Sequence, residues 1–198
     1  MTTERAGEVV RQSDPTEAAP RVTGPCVDSE RQSTVERRLL SGQANPDTAR
    51  REWREQGITL LALGTLFSAV RIPGRLVHAV AGTTDPGETD AFLGEAFLGG
   101  PVICDPRGPR YYALTPCRMP RTWRAAVDEW RTGQDVDCLG AGTYLGVPRL
   151  DLVGAPEQGI ASYWSVPMVS PAVLCPPLCV ARLIAAGAHC MAEDIETV

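Results

Sequence analysis

The chain has 198 residues, 43 % of them hydrophobic, and a net charge of −5. That is enough for one domain with a full core, and too acidic for a protein that coats nucleic acid through cation–phosphate contacts. It has no lysine, so its cations are nineteen arginines, which excludes Schiff-base and P-loop lysine chemistry and fits the codon bias of a GC-rich genome.

Residues 1–44 mix charge with Ser, Thr, Pro and Gly and show little apolar periodicity, so a largely disordered tail is expected, with Met1–Asp28 unfolded. Within it, Ser33–Leu40 is expected as a short helix that docks through Leu39 and Leu40. A single domain is expected over 45–190. Asn45 can cap a helix, Pro46 suits its first position and Gly57 stops it. Ile58–Leu63 and Leu66–Ile72, split by Gly64, read as strands of a hairpin or of one bent pair. Pro73–Ala81 reads as a helix with Leu76, Val77 and Val80 on one face. Thr83-Thr84-Asp85-Pro86 opens another that runs to about Leu98, buries Phe92, Leu93, Ala96 and Phe97, and stops at Gly99-Gly100.

Pro101–Cys104 and Arg110–Leu114 read as a hairpin across Asp105–Pro109. Arg121–Arg131 is amphipathic, with Trp123, Val127 and Trp130 at helical spacing. Val136–Leu139, Thr143–Val147 and Ser162–Val166 are expected strands. Pro177–Ala186 is the expected last helix, ended by Gly187, ahead of an acidic tail over 191–198 that frays from Glu193. The whole reads as α+β: a mixed, mainly antiparallel sheet covered by helices.

Seven cysteines is an odd count, and Met1–Gln12 carries charge with no apolar signal core after it. A disulfide framework is therefore not expected, and a cytoplasmic protein is. No apolar run reaches the roughly 18 residues of a membrane span. Cys175 and Cys179 have no second closely spaced pair to complete a zinc site. His78 lies among apolar residues, where a satisfied, partly buried histidine outweighs a general base. Asp135 and Asp137 alternate ahead of a strand and face one side of it, which makes them the metal candidates on spacing, against the plainer reading of a polar strand entry.

The densest chemistry lies between Arg107 and Arg131: six of the nineteen arginines, with Tyr111, Tyr112, Trp123 and Trp130 among them. Guanidinium groups fork onto phosphate and aromatic faces stack bases. Arg107, Arg110, Tyr111 and Tyr112 are the expected ligand contacts, with Arg118, Arg121 and Arg124 as electrostatic support. Asp105 and Cys104, at the hairpin turn, are the catalytic candidates.

The segments AVRIPGRLVHAV, TTDP, LGGPVICDPRGPRYYALTP, DCLGAGTYLGVP and YWSVP, over roughly residues 58–167, resemble small actinobacterial proteins related to the primase–polymerase domain of bifunctional DNA primase/polymerases. The resemblance implies a primase–polymerase-like α+β fold. The catalytic members use a metal-binding Asp-x-Asp on a strand and a nucleotide-binding histidine on a neighbouring one. Here the hairpin offers Asp105 alone, and no histidine lies between His78 and His189. The resemblance therefore implies a degenerate copy without two-metal phosphoryl transfer.

The expected function is a non-catalytic binding or regulatory module, without a cofactor, that holds a nucleotide, single-stranded nucleic acid or protein at the Arg/Tyr strip. The alternative is a small metabolic enzyme using Asp105 or Cys104. A further reading gives residues 1–44 a protein partner on which they fold.

Overall fold

A computed structural model describes residues 25–156 and 161–196. Its elements are α1 (Pro25–Leu40), α2 (Pro46–Gln56), β1 (Ile58–Ala62), β2 (Phe67–Pro73), α3 (Gly74–Ala81), α4 (Pro86–Ala96), β3 (Val102–Asp105), β4 (Arg110–Pro116), α5 (Met119–Thr122), α6 (Arg124–Gly133), β5 (Asp137–Leu139), β6 (Tyr144–Pro148), β7 (Tyr163–Val166) and α7 (Pro177–Glu196). The fold is mixed α+β with antiparallel sheets. Five strands pair in the order β5-β2-β4-β3-β7, and β1 pairs with β6 separately.

Period-two alternation gives the larger sheet two apolar faces. One carries Val70, Ile72, Val102, Cys104, Tyr111, Ala113 and Tyr163, and α3, α4, α6 and α7 cover it with Leu76, Leu93, Phe97, Val127 and Leu183. The other carries Ala69, Ile103, Leu114 and Trp164, and is covered by Leu39 of α1, Trp53 of α2, Leu61 of β1 and Val147 of β6. Two of the buried indoles, Trp53 and Trp164, find backbone acceptors. Trp53 Nε1 donates to the Val147 carbonyl at 2.9 Å and Trp164 Nε1 to that of Pro148 at 3.1 Å.

Local signals set several boundaries as expected. The Asn45 side chain accepts from the Thr48 N–H, and Gly57 ends α2 at φ 72°. Asp85 accepts from the Glu88 N–H at 2.9 Å, and Thr83 Oγ1 donates to Glu88 at 2.7 Å, closing the start of α4. The β3–β4 hairpin forms in the register Cys104↔Tyr111 and Asp105↔Arg110.

Four expectations are corrected. The helix expected from Ser33 begins at Pro25, and Val35, Leu39 and Leu40 are buried in the second core face. The part of the expected tail from 25 to 44 therefore belongs to the folded body, while residues 1–24 lie outside the described residues. β1 and β2 do not pair. Gly64 turns the chain at φ 92°, where a side chain would meet the Ala141 backbone at 2.5 Å, and sends the two strands into different sheets. The helix expected over Arg121–Arg131 breaks at Trp123 into α5 and α6, and the Trp123 ring stacks on Trp130 at 6.4 Å. Gly187 does not end the last helix. α7 continues to Glu196, because Gly187 is the close-contact point against α3, where a Cβ would stand 2.7 Å from the Leu76 carbonyl oxygen. The expected acidic tail is thus helical as far as Glu196. Among the described residues, no helix is long and apolar enough to cross a membrane.

Candidate functional site

Alternation along the hairpin decides which side chains can share a site. Cys104 and Tyr111 face each other on the helix-covered face of the sheet, while Asp105, Arg110 and Tyr112 project from the opposite face. Cys104 and Asp105 therefore cannot act on one substrate, and Tyr111 is parted from Arg110 and Tyr112.

A cleft of about 250 Å³ opens beside Cys104 and Tyr111. Tyr163 of β7 and His78 of α3 complete its polar lining with Thr84, from the loop after α3. Pro86, Pro106, Pro109 and Pro156 form an apolar rim, and Ala155 stands exposed at its edge. The hairpin wall is held in place by a backbone bond, since the first N–H of α3, at Gly74, donates to the Pro109 carbonyl at 2.6 Å. The volume lies just below the roughly 300 Å³ at which drug-sized pockets begin, which suits a single ring system.

The polar groups of the cleft touch one another. His78 Nε2 lies 3.2 Å from the Tyr111 hydroxyl, in a contact whose direction follows the histidine tautomer, and the two rings meet edge to face at 5.9 Å. The hydroxyls of Tyr111 and Tyr163 approach the Cys104 thiol from either side. Behind Tyr163 lies the half-buried Asp90 of α4, which accepts a hydrogen bond from Ser165 Oγ. Burial keeps the thiol, both phenols and the imidazole uncharged. It pushes the Cys104 thiol up to about 11 and both tyrosine hydroxyls far above their usual range. It also lowers the pKa of His78. Asp90 is raised to about 6, chiefly by burial, against the opposing pull of hydrogen bonds from Ser165 and Tyr163. At neutral pH the cleft presents a neutral imidazole, two phenols and an unionised thiol. It can hydrogen-bond, but it holds no thiolate nucleophile.

The remaining residues of the Arg/Tyr strip are dispersed. Arg107 stands exposed on the hairpin turn, 3.8 Å from Asp105, whose carboxylate also accepts the Arg107 N–H at 3.2 Å. Arg110 is exposed at one end of β4. Arg118, Arg121 and Arg124 are exposed beyond the other end, which at ~3.3 Å per residue puts them about 20 Å or more from Arg110. Arg124 lies 3.8 Å from Asp128. The metal candidates Asp135 and Asp137 come together on a cation of the protein's own: Arg71 Nη2 lies 2.5 Å from Asp137 and 3.4 Å from Asp135, and Arg131 Nε donates to Asp137 at 2.9 Å. Two guanidinium groups take up the carboxylates that a metal would need. Among the described residues, no three His, Cys, Asp or Glu side chains are grouped to hold a metal ion.

Sequence reasoning left out Asp90, Tyr163 and Ser165, and read His78 as a satisfied, partly buried histidine. Asp90 had a visible signal, since it shares the apolar stripe of α4 with Leu93 and Phe97, at i, i+3 and i+7. Tyr163 and Ser165, two apart in a strand, share a face. Comparison of the chain with protein-family models, with curated proteins and with solved structures finds no match, so the reading of this cleft rests on its own geometry.

Proposed function

We propose that this chain is a non-catalytic binding module that holds a small, flat ligand in the cleft beside Cys104 and Tyr111. The observation that carries this reading is the uncharged, mutually hydrogen-bonded lining of His78, Tyr111, Cys104 and Tyr163 inside a ring of prolines. Such walls give shape, aromatic edges and hydrogen-bond partners, which is what recognition of a ring system needs. They lack the activated group that turnover by Cys104 requires, and Asp105 faces the other way. A nucleobase is one ring system of the right size. The kinship with primase–polymerase domains is supported by the quoted motifs alone.

The reading is tested by filling the cleft from its exposed edge. Ala155→Trp puts an indole at the mouth without touching the core. Ligand-observed NMR with adenosine and with indole should show binding to the parent protein and none to the variant. Equal binding to both would rule the cleft out.

A further inference from the structure

The cleft does not end at His78. That imidazole and Thr84 also bound a second, more open cavity of about 600 Å³, completed by Arg75, Gly82 and Met191. His78 and Thr84 border both spaces, so a molecule seated against Tyr111 and long enough to cross these two side chains would reach the second space. The first compartment is narrow and rimmed by proline, and the second is wide and polar at one end.

Arg75 is that polar end. Its side chain is exposed, and Nη2 donates to the Gln134 backbone carbonyl at 2.8 Å. This bond fixes the guanidinium without cancelling its charge, and among the described residues Arg75 makes no ion pair. The acids around it are otherwise engaged: Asp135, next to Gln134, pairs with Arg71 at 3.4 Å, Glu88 accepts from Thr83, and Asp85 accepts from the Glu88 N–H. None of the three lines either cavity. His78, its pKa lowered by burial, adds no competing charge at the junction. Arg107, the other arginine near the cleft, is compensated by Asp105.

Building on the binding reading above, we infer that the ligand is a two-part molecule: a flat ring in the cleft and an anionic group, carboxylate or phosphate, held by Arg75 beyond His78 and Thr84. A guanidinium pre-fixed on one side and open on the other is suited to a charge-assisted bond to such a group.

The test uses matched pairs that differ by the acid alone: indole against indole-3-acetate, and adenosine against adenosine monophosphate. The carboxylate arm and the phosphate arm separate the two sources of the anion. Affinities for the full-length protein are measured by titration calorimetry or NMR. At least one acid should bind about tenfold tighter than its parent ring. Arg75→Ala and Arg75→Gln should each remove that gain and leave the parent ring unaffected, while Arg107→Ala should change neither. The inference is overturned if the rings bind and neither acid gains, or if the gain survives both Arg75 variants. If no ring or acid binds at all, the cleft reading itself fails and this inference falls with it.

Discussion

Cys104 and Asp105 are neighbours in the chain and face opposite sides of the five-stranded sheet. Cys104 joins Tyr111, Tyr163 and His78 on the face covered by α3, α4, α6 and α7, and Asp105 pairs with Arg107 at the hairpin end of the other. One peptide step thus separates the cleft from the ion pair at the hairpin turn.

The first consequence concerns thiol reactivity. With its pKa pushed to about 11, Cys104 is far less ionised at pH 8 than an ordinary cysteine, and ionisation alone slows its alkylation about 100-fold. Iodoacetamide labelling followed by mass spectrometry should show Cys104 modified well after the half-buried Cys117 and Cys190 at pH 8, with a rate that climbs steeply towards pH 11. Rapid labelling at pH 8 in the folded protein would contradict the buried, neutral thiol.

Asp90 gives the pH dependence. Its pKa rises on folding, from 3.8 to about 6, so the folded state binds the proton more tightly than the unfolded chain. Its contribution to stability is full below pH 3.8 and is lost as the pH climbs through 6. Asp90→Asn keeps an acceptor for Ser165 and carries no charge. The melting temperature of the variant should therefore gain on that of the parent between pH 4 and 7. A difference that stays constant over that range would show that Asp90 titrates normally.

Gly187 inverts the usual helix preference. Alanine in place of a mid-helix glycine normally adds about 1 kcal/mol. Here the new Cβ meets the Leu76 carbonyl oxygen at 2.7 Å, and such overpacking costs about 1–3 kcal/mol. Gly187→Ala should lower the urea midpoint, and a raised midpoint would mean that α3 and α7 are not in close contact.

α1 is tested through Leu39, which is buried against the second core face. Leu39→Ala should cost about 2–5 kcal/mol by chemical denaturation. An effect below about 0.5 kcal/mol would return this segment to the status of a tail.

Much of the fold was legible because its signals are local. Asn45-Pro46, Asp85-Pro86 and the turn at Asp105–Pro109 act within a few residues of themselves. Gly187 misled because its role is a contact with Leu76, more than a hundred residues earlier in the chain. Gly64 misled because its φ was readable as a turn but its destination sheet was not. At the site, the attraction of a dense run of arginines outweighed the two-residue period of the strand. Applied strictly, that period separates Tyr111 from Arg110 and Tyr112 without coordinates. What no local pattern shows is that β7, α3 and α4 bring Tyr163, His78 and Asp90 to the same place.

The most direct measurement is an amide chemical-shift map of the full chain titrated with adenosine and with indole. The account predicts perturbations gathered at His78, Thr84, Cys104, Tyr111 and Tyr163, saturating together and absent from Ala155→Trp. Perturbations gathered instead around Arg118–Arg124, or the same map in the variant, would contradict it.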